Sequence, residues 1–291
     1  MKRCNDATLA PARYAVIGQP IAHSRSPFIH AEFARQTGQH LLYEAIAAPL
    51  DGFAQAVRAF QAAGGRGMNV TVPFKLEACA LADECSPRAQ AAGAANTLLF
   101  REDGSIFADN TDGAGLVTDL RALLPQGLRG RRVALLGAGG AARGVLLPLL
   151  AERPAQLLIA NRTMARAQAL VADFAEAAAE AGVTLALATL EGLSGAFDLL
   201  LNATASALAG EALPLPWARG LLAPGALAYD MVYAAQDTPF LADARRHGAA
   251  IVADGLGMLV EQAAESFLLW RGVRPQTDEV RRALRASLQA S

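Results

Sequence analysis

Two side chains in this sequence stand where a proton could be moved. Lys75 closes the string GMNVTVPFK, just past a strand-like run and the helix-starting Pro73. Asp112 lies in ADNTDG, immediately ahead of a helical pattern. A third feature is the turn GAGGAAR, residues 137–143, with Gly137, Gly139 and Ala142 spaced as G-x-G-x-x-A. A glycine turn that opens a helix brings backbone amides to a pyrophosphate. About twenty residues later a second apolar run ends in Asn161-Arg162-Thr163. An NAD site usually has Asp or Glu there to hold the ribose 2′-hydroxyl, whereas a guanidinium suits a 2′-phosphate. The pattern implies NADP and hydride transfer.

Each feature also has an ordinary reading. Lys75 can be a surface lysine at a helix start, opposing the helix dipole at a cost of ~0.3–1 kcal/mol. Asp112 can be an N-cap. Ser24 and Ser26 flank Arg25 in HSRSPFIH; two hydroxyls beside a helix start suit a substrate carboxylate, and Ser26 is equally a capping candidate. Asn96 at a strand entry, Gln262 within an apolar helix and Tyr233 can each touch substrate or simply satisfy the fold. His23 and His30 lack Cys, Asp or Glu at ligand spacing, so no metal site is expected. Cys4, Cys79 and Cys85 make an odd set with no metal quartet or disulfide framework, and read as small core or surface thiols.

The elements that must carry these residues alternate. RYAVIG, LLYEAI and GMNVTV read as strands, interleaved with helical PFIHAEFARQTG, FAQAVRAFQAAGG and KLEACALAD. ANTLLF and SIFAD form a hairpin-like pair around Asp103-Gly104. VALLG, ARGVLLPLLAE and LLIANR make a βαβ unit, and VTLALA, FDLLLNAT, ALAYDMV and AAIVAD continue the strands. The expected fold is α/β in two domains: an N-terminal substrate domain and a doubly wound Rossmann-type domain. Residues 1–111 with 255–291 form the first and 112–254 the second, the helix LGMLVEQAAESFLLWRGV returning to the first domain. The site is expected where the two domains meet.

At 291 residues and 53% hydrophobic content, the chain is long enough for two packed cores. A formal net charge of -1 argues against nucleic acid and anionic membrane surfaces as partners. The first residues, MKRCNDATLAPARY, have no signal-like apolar stretch, and no uninterrupted membrane span appears. A cytoplasmic enzyme acting on a small molecule, as monomer or homodimer, is the expectation.

Together the strings AVIGQPIAHSRSPFIH, GMNVTVPFK, AANT, DNTDGAG, GAGGAARG, ANRT, LNAT, YDMVY and DGLGMLVEQAAESFLLWRG resemble, in this order, the shikimate dehydrogenase family. The likeness runs from about residue 14 to 273 and is nearest the NADP-dependent biosynthetic branch. It implies reversible reduction of 3-dehydroshikimate to shikimate by NADPH, toward aromatic amino acids. It further implies that Lys75 and Asp112 are the catalytic pair. Ser24 and Ser26, with Tyr233, would hold the carboxylate, while Thr71, Asn96, Asp112 and Gln262 would bind ring hydroxyls. Gly137, Gly139, Gly140 and Ala141 would line the pyrophosphate. Asn161, Arg162, Thr163 and Arg166 would take the 2′-phosphate, and Met231, Gly255 and Met258 would lie near the nicotinamide. Ala31, Ala95 and Ala205 depart from the residues usual in the family. Two other readings are a quinate/shikimate dehydrogenase using both NAD and NADP, and a non-catalytic sensor of shikimate or quinate.

Overall fold

A computed structural model describes residues 10–290. Cys4 and the first nine residues of the stretch read above for a signal lie outside the described residues. The chain divides into two compact units, residues 1–109 with 263–276 and residues 110–262 with 277–291.

The first unit runs β1 (Ala12–Gly18), α1 (Ser26–Thr37), β2 (Leu41–Ala47), α2 (Phe53–Ala62) and β3 (Gly65–Val70). It continues with α3 (Lys75–Leu81), β4 (Glu84–Cys85), α4 (Pro87–Ala92), β5 (Thr97–Phe100) and β6 (Ile106–Asp109). The sheet order is β2-β1-β3-β5-β6-β4. β1 is parallel to β2 and β3, and β5 is antiparallel to β3 and β6. Gly38 ends α1 in the left-handed conformation, φ 64°. Phe53, Val57 and Phe60 bury one face of α2, with Phe53 stacked on Phe74 at 4.9 Å. The β5–β6 turn is held by Asp103, whose carboxylate accepts the Ser105 amide at 2.9 Å. Cys79 and Cys85, read as separate thiols, face each other with sulfurs 3.4 Å apart.

The second unit comprises α5 (Asp112–Leu123), β7 (Arg132–Leu136), α6 (Gly140–Ala151), β8 (Gln156–Ala160), α7 (Met164–Asp173) and α8 (Ala175–Ala181). β9 (Thr184–Ala188), β10 (Phe197–Asn202), β11 (Leu222–Asp230), α9 (Pro239–Arg246) and β12 (Ile251–Asp254) follow. Its sheet, β12-β11-β10-β7-β8-β9, is parallel throughout. That is the doubly wound Rossmann order, whose switch point falls between β7 and β10. The continuous apolar runs RVALL, QLLIA and FDLLLN bury alternate and intervening residues alike, as strands covered on both faces require.

α10 (Leu256–Arg271) passes from one unit to the other along its length, and α11 (Asp278–Gln289) ends the described chain. The unit boundaries differ from those expected at 111 and 254: residues 110, 111, 255–262 and 277–291 cluster with the nucleotide-type unit. Ion pairs account for the α11 placement. Arg281 meets Asp119 at 3.2 Å and Arg285 meets Asp254 at 2.5 Å.

Candidate active site

In the first unit the candidate residues collect at the carboxyl edge of the sheet. The Thr71 amide bonds the Ile17 carbonyl at 3.0 Å and the Gln19 amide bonds that of Val72 at 3.1 Å, lacing the loops after β1 and β3. Gly18 permits this approach, since a Cβ there would stand 2.4 Å from Thr71 Cγ2. The Val70 amide bonds the Asn96 carbonyl at 2.8 Å, and the Ala95 amide bonds the Lys75 carbonyl at 2.8 Å. Thr71, Lys75 and Asn96 are thereby neighbours. Lys75 is the first residue of α3, behind the buried Phe74 and between the exposed side chains of Val72 and Leu76.

Ser24 sits on the loop after β1, and Ser26 opens α1. Ser26 does not cap α1: the helix starts at Ser26 itself, Arg25 takes the cap position without a side-chain bond, and Ser24 Oγ accepts the Ser26 amide at 3.3 Å.

Residues not singled out from the sequence brace this edge. Asn69 Oδ1 accepts from the Tyr43 hydroxyl at 2.7 Å, and its Nδ2 faces Thr97 Oγ1 at 3.1 Å and Ser266 Oγ at 2.9 Å. Thr97 donates to Asn96 Oδ1 at 2.9 Å and so orients that amide. Buried Asp109 receives Ser86 Oγ at 2.6 Å and both sides of the Arg88 guanidinium, at 2.7 and 2.5 Å. The available signal was a polar residue within or ending a short apolar strand, as in MNV and FAD.

In the second unit, Asp112 is the first residue of α5 rather than its cap, and its amide donates to Asn110 Oδ1 at 3.2 Å. Neighbouring Thr111 donates to Gln262 Oε1 at 3.4 Å, while Gln262 Nε2 donates to the Leu259 carbonyl at 2.9 Å. Two glycines seat α5. A Cβ on Gly115 would fall 2.6 Å from the Gln262 amide, and one on Gly113 would fall 2.8 Å from the Gly144 carbonyl of α6. The start of α5 thus lies against the middle of α6 on one side and against Gln262 of α10 on the other.

The turn into α6 fits a pyrophosphate. Gly137 has φ 111°, and a Cβ on it would press on the Ala203 carbonyl at 3.2 Å. Gly139 is the helix N-cap with no side-chain cap, and a Cβ on Gly139 or Gly140 would meet no atom within 4 Å. The amide end of this twelve-residue helix therefore faces an open cradle, with Ala141 in its first turn and exposed. Asn161 Nδ2 bonds the Thr163 carbonyl at 2.8 Å, shaping the turn after β8. Arg162, Thr163 and Arg166 are exposed there, whereas nearby Arg143 is engaged by Asp173 at 2.5 Å. This donor set suits a 2′-phosphate.

Met231 and Gly255 meet at the ends of β11 and β12, where a Cβ on Gly255 would lie 2.2 Å from the Met231 carbonyl. Buried Asp230 anchors this edge: it accepts from Asn202 at 3.1 Å, Thr238 at 2.7 Å and the Val232 amide at 3.1 Å. Burial pushes its carboxyl above the usual range, with those three donors opposing. Met258 lies buried in the first turn of α10, and Tyr233 follows β11 half-buried. A Cβ on Gly257 would strike the Asp119 carboxylate at 2.1 Å. Asp119 also accepts from Tyr229 at 2.8 Å and Arg281 at 3.2 Å, and burial raises its carboxyl against those two partners. Lys75, Ser24, Ser26, Thr71 and Asn96 belong to the first unit, and the remaining candidates to the second.

Among the described residues no group of His, Cys, Asp and Glu could hold a metal, and no helix is long and apolar enough to cross a membrane.

Comparison with known proteins places these features in a family. Residues 16–98 match the shikimate dehydrogenase substrate binding domain, residues 120–209 the shikimate / quinate 5-dehydrogenase family, and residues 255–285 the shikimate 5'-dehydrogenase C-terminal domain. A shikimate dehydrogenase (NADP(+)) of Aromatoleum aromaticum is 65% identical over 277 residues, covering 95% of this chain and 98% of that one. One from Alkalilimnicola ehrlichii is 57% identical over 273 residues, covering 94% and 98%. The crystal structure of Thermus thermophilus shikimate 5-dehydrogenase with NADP(H) and shikimate superposes with a TM-score of 0.83 at 35% identity, covering 95% of this chain and 100% of that one. With the Rossmann sheet, the open glycine cradle and these matches in hand, the chain belongs to the NADP-dependent shikimate dehydrogenase family.

Proposed function

We propose that this chain reduces 3-dehydroshikimate to shikimate with NADPH, reversibly, in aromatic amino-acid biosynthesis. The observation that carries the reading is the pairing of an open glycine cradle with Arg162 just past β8, in a chain whose residues 16–98 match the shikimate dehydrogenase substrate binding domain. Bound NADPH supplies the hydride to the carbonyl carbon. Lys75 supplies the proton that the resulting oxygen needs, and in the reverse direction accepts it. Asp112 holds the hydroxyl beside the reacting carbon. Ser24, Ser26 and Tyr233 hold the carboxylate; Thr71, Asn96 and Gln262 take ring hydroxyls, fixing which carbon is presented.

The α6 amides at Gly140 and Ala141, with Gly137 and Gly139 giving room, take the pyrophosphate. Arg162, aided by Asn161, Thr163 and Arg166, takes the 2′-phosphate. Met231, Gly255 and Met258 form an apolar wall for the nicotinamide. The enzyme works in the cytoplasm as a monomer or homodimer, without nucleic acid or membrane.

Turnover of shikimate and quinate, each with NADP and NAD, tests the reading. The expected result is fast turnover only with shikimate and NADP. Comparable rates with quinate or NAD would replace it with the mixed quinate/shikimate enzyme. Ligand binding without any absorbance change in all four mixtures would make the chain a sensor.

A further inference from the structure

Cys79, one turn along α3 from Lys75, and Cys85, in β4, lie side by side on the first unit. Their sulfurs are 3.4 Å apart, and Cys85 Sγ also reaches the Cys79 carbonyl at 3.5 Å. Both are free thiols, partly buried against the hydrophobic core of the first unit. Closing a bond of ~2.05 Å between them needs the sulfurs to approach by little more than an ångström. Nothing in the reaction above uses either sulfur.

We propose that Cys79 and Cys85 are a redox-active dithiol that a peroxide converts reversibly into a disulfide, closing a short ring between α3 and β4. The Cys79 thiolate attacks one oxygen of hydrogen peroxide, the O–O bond breaks, and the departing hydroxide leaves as water with the Cys79 proton. The Cys85 sulfur then attacks the Cys79 sulfenic acid, forming S–S as the S–O bond breaks. A second water carries away that oxygen with the sulfenic and Cys85 protons. Two thiols lose two electrons and the peroxide gains them.

The order of attack follows from the local electrostatics. Burial, the Cys79 sulfur and Glu84 push the Cys85 thiol up to about 11, so Cys85 holds its proton and is a poor first nucleophile. Cys79 is the attacking sulfur and Cys85 the resolving one.

A single tryptic peptide, residues 76–88, contains both cysteines, which makes the test direct. The full chain in a Cys4→Ser background is treated with hydrogen peroxide, alkylated under denaturing conditions and digested. The expected peptide carries no alkyl group, has lost the mass of two hydrogens, and regains two alkylation sites after dithiothreitol. Cys85→Ser is expected to leave a sulfenic acid on Cys79 that dimedone captures, and Cys79→Ser to leave Cys85 largely unreacted. A doubly alkylated peptide after peroxide overturns the proposal. So does sulfinic acid on both sulfurs without ring closure, or dimedone capture at Cys85 instead of Cys79.

Discussion

Lys75 and Arg162 are two residues on which the chemistry can be separated from binding. Lys75→Ala is expected to lower kcat by about 10²–10⁴ with a small change in the shikimate KM, as loss of a proton-transfer group should. A variant with normal kcat and a raised KM would make Lys75 a binding contact. Arg162→Ala should act on cofactor choice: the NADPH/NADH ratio of kcat/KM falls, mostly through the NADPH KM, and an unchanged ratio would remove Arg162 from 2′-phosphate binding. Both residues were visible in the sequence because each occupies a fixed place relative to a strand end and a helix start. Asn69 and Asp109 were not. Asn69 gains its meaning from Ser266, 197 positions away, and Asp109 from Arg88 on a short helix. Such pairings leave no local spacing to read.

At the scale of elements, glycines set how closely helices approach. Gly257 faces the buried Asp119 carboxylate, which Tyr229 and Arg281 hold in place. Gly257→Ala must displace that carboxylate or the first turn of α10, costing about 1–3 kcal/mol of stability by overpacking. Urea denaturation checks it, and an unchanged midpoint would mean that the turn yields freely. The parallel strands of the second unit and the helices bounded by glycine were legible, since long apolar runs and left-handed caps are strong signals. α4, α7, α8, α11 and the two-residue β4 went unread. Several are alanine-rich, and α11 buries only Val280 and Leu284, so its apolar stripe is thin. Its arginines attach it to Asp119 and Asp254, a relation that hydrophobic periodicity does not register.

For the whole molecule, one buried base shapes the response to acid. His30 is 1% exposed and stacked on Tyr43 at 4.2 Å. Burial lowers its pKa from 6.5 to about 3, outweighing the opposing pull of Asn69. Between those values the unfolded chain binds a proton that the folded chain refuses, so stability falls as pH drops from 6.5 toward 3. This one group contributes a slope of at most ~1.4 kcal/mol per pH unit. His30→Leu should flatten the unfolding free energy against pH by that amount between roughly 6 and 4.5. An identical slope in the variant would show that other groups govern acid sensitivity.

The single helix α10 serves two masters. Its last turns deliver Ser266 to Asn69 and Trp270 to Tyr14 and the Leu98 carbonyl, completing a core that the opening hundred residues begin. On a ribosome that core must wait, without the Phe267 and Trp270 rings, until residues 263–276 have been translated. A nascent chain halted before residue 263 is therefore a natural client for chaperones, even though it already holds every strand of both sheets.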